Sequence, residues 1–170
     1  SLIIHRVWSI SQIKFLEGHF MTAKEYLEQV RHKQAEIGNL KRDKEAVKDM
    51  LYSLGGGGEG ERVQSSRNND KFGTLFSRID EMERKIDDKI IDLMQFRMKV
   101  SEQINALDNV SYITILNCRY IHFQSWEKIA RSAFDEERNV RSVQKLNGLA
   151  LQEFEKKYAV MLAELTLEAI

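Results

Sequence analysis

Between Ser125 and Leu146 the chain reads SWEKIARSAFDEERNVRSVQKL, and its polar residues are spaced for contact with an anionic surface. Arg138, Arg141 and Lys145 stand three and four apart, which places them on one face of a helix. Asn139, Ser142 and Gln144 add groups able to bond phosphate oxygens or base edges. Ser125 and Lys128, at the start of the preceding segment, join them as candidate contacts. Two features weigh against this reading. Cations at helical spacing on a solvated face are common in proteins that bind nothing anionic, and Asp135, Glu136 and Glu137 lower the local potential.

Other chemistries find little support in the residue types. The four histidines, His5, His19, His32 and His122, have no carboxylate or cysteine at ligand spacing, so no metal site is expected. Cys118 falls in an apolar-patterned segment and reads as packing rather than as a nucleophile. Its solitude excludes an internal disulfide and suits a reducing cytoplasm. The run Gly55–Gly58 lacks the Gly-Lys-Ser/Thr and the preceding strand of a phosphate loop. Asp87 and Asp88 fit the solvated side of a helix. No enzyme and no cofactor are expected. Lys plus Arg and Asp plus Glu number 26 each, so any polyanion binding must come from a local patch. No apolar run reaches the roughly 18 residues that span a bilayer, and no membrane partner is expected.

The elements around this segment are helical by pattern. The 170 residues include no proline, so runs of good helix formers are not interrupted. Thr22 and Glu25 form a capping box, after which Ala23, Leu27, Val30, Ile37, Leu40, Val47, Leu51 and Leu54 recur at helical steps. Gly38 is a weak point in that helix. GGGGEGERVQSSRNND then predicts a loop over about 55–70. From Leu75 to Leu107 the stripe Leu75, Ile79, Met82, Ile86, Ile90, Leu93, Phe96, Val100, Ile104, Leu107 keeps its spacing without a gap. Two such helices fold most simply into an antiparallel hairpin. One imperfect partner helix would leave part of the second seam wet. Ile79, Met82, Ile86, Leu93 and Val100 are therefore the candidate residues for self-association, as a dimer, with a plain structural spacer as the alternative.

Three shorter helical pieces follow. Ser111 is placed to cap one bearing Ile113, Leu116 and Tyr120. Ser125 is placed to cap a second, with Trp126, Ile129 and Ala130 facing inward. Asp135 is placed to cap a third, with Val140, Val143, Ala150 and Phe154 as its apolar positions. Short helices in succession with cations outward on the last suit a helix-turn-helix. Residues 1–20 carry no signal-peptide order. They read as translated upstream sequence before a natural start at Met21, with a membrane-surface or partner-binding arm as the alternative.

RYIHFQSWEKIA (119–130) and LNGLALQEFEKKY (146–158), within residues 110–158, resemble the sigma-70 region-4-like helix-turn-helix of a phage family. These are late-gene transcriptional regulators of the ArpU/RinA type, from phages of Gram-positive bacteria. MTAKEYLEQVR (21–31) is similar to that family's start. The resemblance implies double-stranded DNA as partner, activation of phage genes, and contacts to RNA polymerase. Compared with the family, the interval from Ile129-Ala130 to the LNGLAL element is longer here by about three residues. Extra residues near Ser142 to Gln144 would rotate the later part of the third helix. The expectation is an all-α chain: a leader over 1–20, a coiled-coil-like hairpin over 21–107, a helix-turn-helix over 108–160 and a C-terminal helix extension or tail over 161–170. The alternative function is a helical phage adaptor, in assembly or polymerase binding, without specific DNA binding.

Overall fold

The computed structural model describes residues 20–55, 66–134 and 137–168. Among them there is no strand, so the fold is all-α as expected. Helix α1 spans Ala23–Gly55 and α2 spans Ser66–Asn105. After them come α3 (Val110–Leu116), which runs into a π-helical turn over Asn117–Ile121, then α4 (Trp126–Ser132), α5 (Val140–Lys157) and α6 (Ala159–Glu168). No helix among the described residues is long and apolar enough to cross a membrane.

The capping box closes the start of α1. The Thr22 backbone N–H donates to Glu25 Oε2 at 2.8 Å, and the Glu25 N–H donates to Thr22 Oγ1 at 3.2 Å. Helix α2 begins at Ser66, so 66–70, expected as loop, are helical. Extending an existing helix backward gains one hydrogen bond per residue fixed, which outweighs the weak propensity of Ser, Asn and Asp. Residues 1–19 and 56–65 lie outside the described residues, and with them the expected leader and most of the expected glycine loop.

The chain divides into two compact units, residues 30–98 and the remainder on either side. The boundaries therefore fall at Gln29/Val30 and Met98/Lys99 rather than at the expected 107/108. Within Val30–Met98 the two helices pair antiparallel. Lys89 meets Glu36 at 2.8 Å, Lys44 meets Glu83 at 3.2 Å, and the Lys33 ammonium lies 5.5 Å from the centre of the Phe96 ring. In that register Val47 stands opposite Ile79, and Leu40 opposite Ile86. Ile37, Val47, Ile79 and Ile86 are buried, while Met82 and Leu93 are half-buried.

The other unit draws its core from many segments. Tyr26, Leu27, Val100, Ile104, Ile115, Leu116, Ile129, Val143, Ala150 and Phe154 are all buried. The first turns of α1 belong to it because they are bound into it. The Tyr26 and Phe154 rings lie 6.1 Å apart, the Tyr26 hydroxyl donates to Gln103 Oε1 at 2.8 Å, and the Ala23 N–H donates to Glu155 Oε1 at 3.0 Å. Tyr158 stacks on Phe154 at 4.6 Å and donates its hydroxyl to the Gln103 carbonyl. Burial pushes the Tyr26 phenol above its ordinary pKa. Of the expected helix extension or tail, the residues up to Glu168 are helical: α6 buries Leu162, Ala163 and Thr166, and Thr166 Oγ1 accepts from the Met21 N–H at 2.9 Å.

The seam singled out for self-association is thus largely used within the chain. Ile79 and Ile86 are buried in the hairpin, Met82 and Leu93 are half-buried there, and Val100 is buried in the other unit. The apolar residues that α2 leaves outside are Phe76, Ile91, Met94 and Met98. The three/four spacing found the covered face because one partner helix suffices to cover a single stripe.

Candidate nucleic-acid interface

Helix α5 is the element that positions the expected contacts. It packs on α3 and α4, with Val143, Asn147, Ala150 and Phe154 buried. At about 100° per residue these four form one stripe, and the opposite line reads Arg141, Lys145, Gly148, Gln152. All four of those are exposed, as are Ser142 and Leu149. From Arg138 to Gln152 the sequence contains three cations and no acid. Among the described residues neither Arg141 nor Lys145 has an ion-pair partner.

The start of α5 differs from expectation. Asn139, rather than Asp135, is the N-cap, and its Oδ1 accepts from the Ser142 N–H at 2.7 Å. Asp135 and Glu136 lie outside the described residues. The helix is unbroken from Val140 to Lys157, with Ser142 to Gln144 in its regular first turns. The segment between α4 and α5 spans 133–139, longer than the three or four residues usual in a helix-turn-helix.

Two of the expected contacts also have structural roles. Asn139 spends its acceptor on the cap. Arg138 precedes the helix: its N–H donates to the Ala130 carbonyl at 2.8 Å, and its guanidinium lies 4.2 Å from the Phe134 ring centre, which leaves it half-buried. Arg138 therefore does not share the helical face of Arg141 and Lys145. Arg141, Ser142 and Lys145 are brought together and point outward.

Helix α4 is fixed from its N-terminus. Ser125 caps it, accepting from the Lys128 N–H at 3.2 Å. Ser125 also hydrogen-bonds the Glu127 carboxyl. That bond comes after the larger effect of Glu127's own backbone N–H, and together they hold Glu127 below the usual carboxylate range. Ser125 is therefore engaged locally, and both it and Lys128 are exposed. Trp126, expected inward, is half-buried under the Arg119 guanidinium at 4.3 Å, while Ile129 and Ala130 are buried as expected. Arg119 also donates to the Gln124 carbonyl at 3.0 Å, which ties the turn before α4.

That turn has unusual backbone geometry. Phe123 adopts φ 53°, the left-handed region uncommon for a bulky residue. The Gln124 N–H reaches the Cys118 carbonyl at 2.9 Å and the His122 N–H reaches Asn117 at 2.9 Å, closing the π-helical turn. Asn109, not Ser111, caps α3, accepting from the Ser111 N–H at 2.9 Å. Cys118 is half-buried, and burial pushes its thiol pKa up, which disfavours the nucleophilic thiolate.

Sequence reasoning missed Asn147, Gly148, Leu149, Gln152 and the Arg119–Trp126 stack. Asn147 could have been found, since it lies four after Val143 and three before Ala150 and so belongs to the buried stripe. Its Nδ2 lies 3.4 Å from the Tyr120 hydroxyl, and its Oδ1 has no partner among the described residues. The stack joins two residues across the non-helical turn between the π-helical turn and α4, where helical spacing says nothing about contact. No family model, curated protein or solved structure matches this chain.

Proposed function

We propose that the unit containing α3 to α6 binds double-stranded DNA through the outward face of α5, as a helix-turn-helix regulator of transcription. The observation that carries this is the acid-free crest beginning Arg141, Ser142, Lys145, held outward by the buried stripe on the opposite side. Cations there neutralise phosphates, and the first turns of a helix seated in the major groove are where side chains reach base edges. Lys128 from α4 adds a charge on the element that crosses the backbone in this arrangement. The likeness of residues 110–158 to late-gene regulators of the ArpU/RinA type agrees in giving a phage gene as target, activation as the effect and RNA polymerase as a second partner.

The test is a salt series of duplex binding by anisotropy, on fragments of the DNA flanking the protein's own coding sequence. Binding should weaken linearly in log–log form with salt. Arg141→Ala should cost about 1–3 kcal/mol on the preferred fragment if it reads a base. If it touches phosphate alone, the loss should be uniform and the salt slope should fall by about one. A folded Arg141→Ala/Lys145→Ala protein that binds as wild type would remove DNA as the ligand.

A second reading rests on a different observation. Ile91, Met94 and Met98 form an exposed apolar line on α2 within Val30–Met98, as a helical adaptor in contact with another protein would present. Full solubility and unchanged partner capture on Met94→Lys would dismiss it.

A further inference from the structure

Glycine is a poor helix former, and in a helix interior it is retained where its missing side chain makes room. Gly148 lies in the middle of α5 and is exposed. Among the described residues a Cβ built there meets nothing within 4 Å, so the packing of this chain does not require the glycine. It sits on the crest between Lys145 and Gln152, opposite the buried Val143–Phe154 stripe. Room is left where the chain itself has no use for it, on the face that carries the cations.

We infer that Gly148 is the point at which α5 passes against the sugar–phosphate backbone of duplex DNA, an inference that rests on the DNA-binding reading of this face. The spacing supports it. At 1.5 Å per residue, Gly148 lies about 10 Å along the axis from Arg141. The major groove is about 12 Å wide. With Arg141 and its turn at the base edges, Gly148 reaches the groove wall, where helix backbone and DNA backbone come closest. A side chain there would hold the helix away and lift Arg141 and Lys145 from the DNA. Because the backbone is the same in every sequence, the requirement for glycine is independent of the DNA sequence.

Gly73 provides a matched control. It is also exposed within a long helix, α2, and a Cβ there also meets nothing within 4 Å among the described residues. Gly73→Ala and Gly148→Ala should each raise the melting temperature by about 2–4 °C, as alanine replaces glycine at an unobstructed helical position. Their binding to a fluorescein-labelled mixed-sequence duplex should diverge. Gly73→Ala should bind as wild type. Gly148→Ala should bind about tenfold more weakly, comparable to removing one well-formed side-chain hydrogen-bonding pair from the interface. Gly148→Ser should lose at least as much.

If wild type binds and Gly148→Ala binds equally well, the close approach is overturned while the DNA-binding face stands. A fall in melting temperature for Gly148→Ala also overturns it, because the glycine would then serve the fold. If wild type fails to bind the duplex even at low salt, the underlying reading fails and takes this inference with it.

Discussion

The two units bury apolar surface in different ways. In Val30–Met98, two helices cover one stripe each, and Met50, Tyr52, Leu54, Phe76, Ile91, Met94 and Met98 remain exposed. An open groove lined by Met50, Ser53, Leu54, Lys71, Thr74 and Leu75 adds to that uncovered surface. In the other unit, segments far apart in sequence surround Phe154 and Tyr26, which are almost wholly removed from water. A helix pair has one interface, whereas several short helices can close around a side chain from all directions. One chain therefore holds a thinly covered pair in one place and a closed core in the other.

This difference predicts unequal responses to truncation. Phe154→Ala should cost about 3–5 kcal/mol, because a fully enclosed ring leaves a cavity that its neighbours cannot fill. Ile86→Ala should cost about 2 kcal/mol, near the low end for such a change, since a site covered by a single partner helix collapses more readily. Amide exchange separates the two responses. Ile86→Ala should lower protection within Val30–Met98 alone, whereas Phe154→Ala should lower the global unfolding midpoint. Equal loss of protection at Ile104, Leu116 and Val143 in the Ile86 variant would mean that the two units unfold as one.

A smaller effect, of opposite sign, is expected inside the closed core. Asn147 is buried with its Oδ1 unpartnered among the described residues, so that oxygen bears a desolvation cost that no bond from them offsets. Asn147→Leu keeps the branched shape and removes the orphan, and should raise stability by about 1 kcal/mol in chemical denaturation. A loss of stability in that variant would show that the amide has a partner in solution, such as a bound water.

The sequence revealed these regions unevenly. The hairpin was legible because its signal is periodic. Each residue of the Leu75–Leu107 stripe is buried or half-buried, while the apolar residues left out of that stripe are exposed. The closed core was less so. Tyr26 carries a polar hydroxyl and was left out of the α1 stripe, yet the ring is enclosed by Phe154 and the hydroxyl satisfied by Gln103, partners 128 and 77 residues away. The order of the short helices was correct, but the start of α5 was not. Asp135 and Asn139 are equally good caps by residue type, so local pattern does not single out Asn139, the cap the structure has.

The smallest expected effect tests what the ion pairs contribute to the thinly covered hairpin. Lys89 meets Glu36 at 2.8 Å, and their hydrogen bond is the main reason that the Glu36 carboxyl is held below its ordinary value. The same bond raises the Lys89 ammonium above its ordinary value. For Glu36, a depressed pKa in the folded state means stabilisation that is present above the unfolded value of 4.5 and lost as the pH falls through the folded value. For Lys89, the raised pKa means stabilisation that is present below 10.5 and lost as the pH rises through the folded value. Between those limits the pair is intact, yet both groups are solvent-exposed, so salt should screen it. Glu36→Gln should therefore lower hairpin protection slightly at neutral pH and low salt, and the difference from wild type should vanish below the carboxylate range and in concentrated salt. A difference that persists in high salt would show that the side chain acts through packing of its methylenes rather than through its charge. In that case the register of the hairpin is set by the Val47–Ile79 and Leu40–Ile86 layers alone.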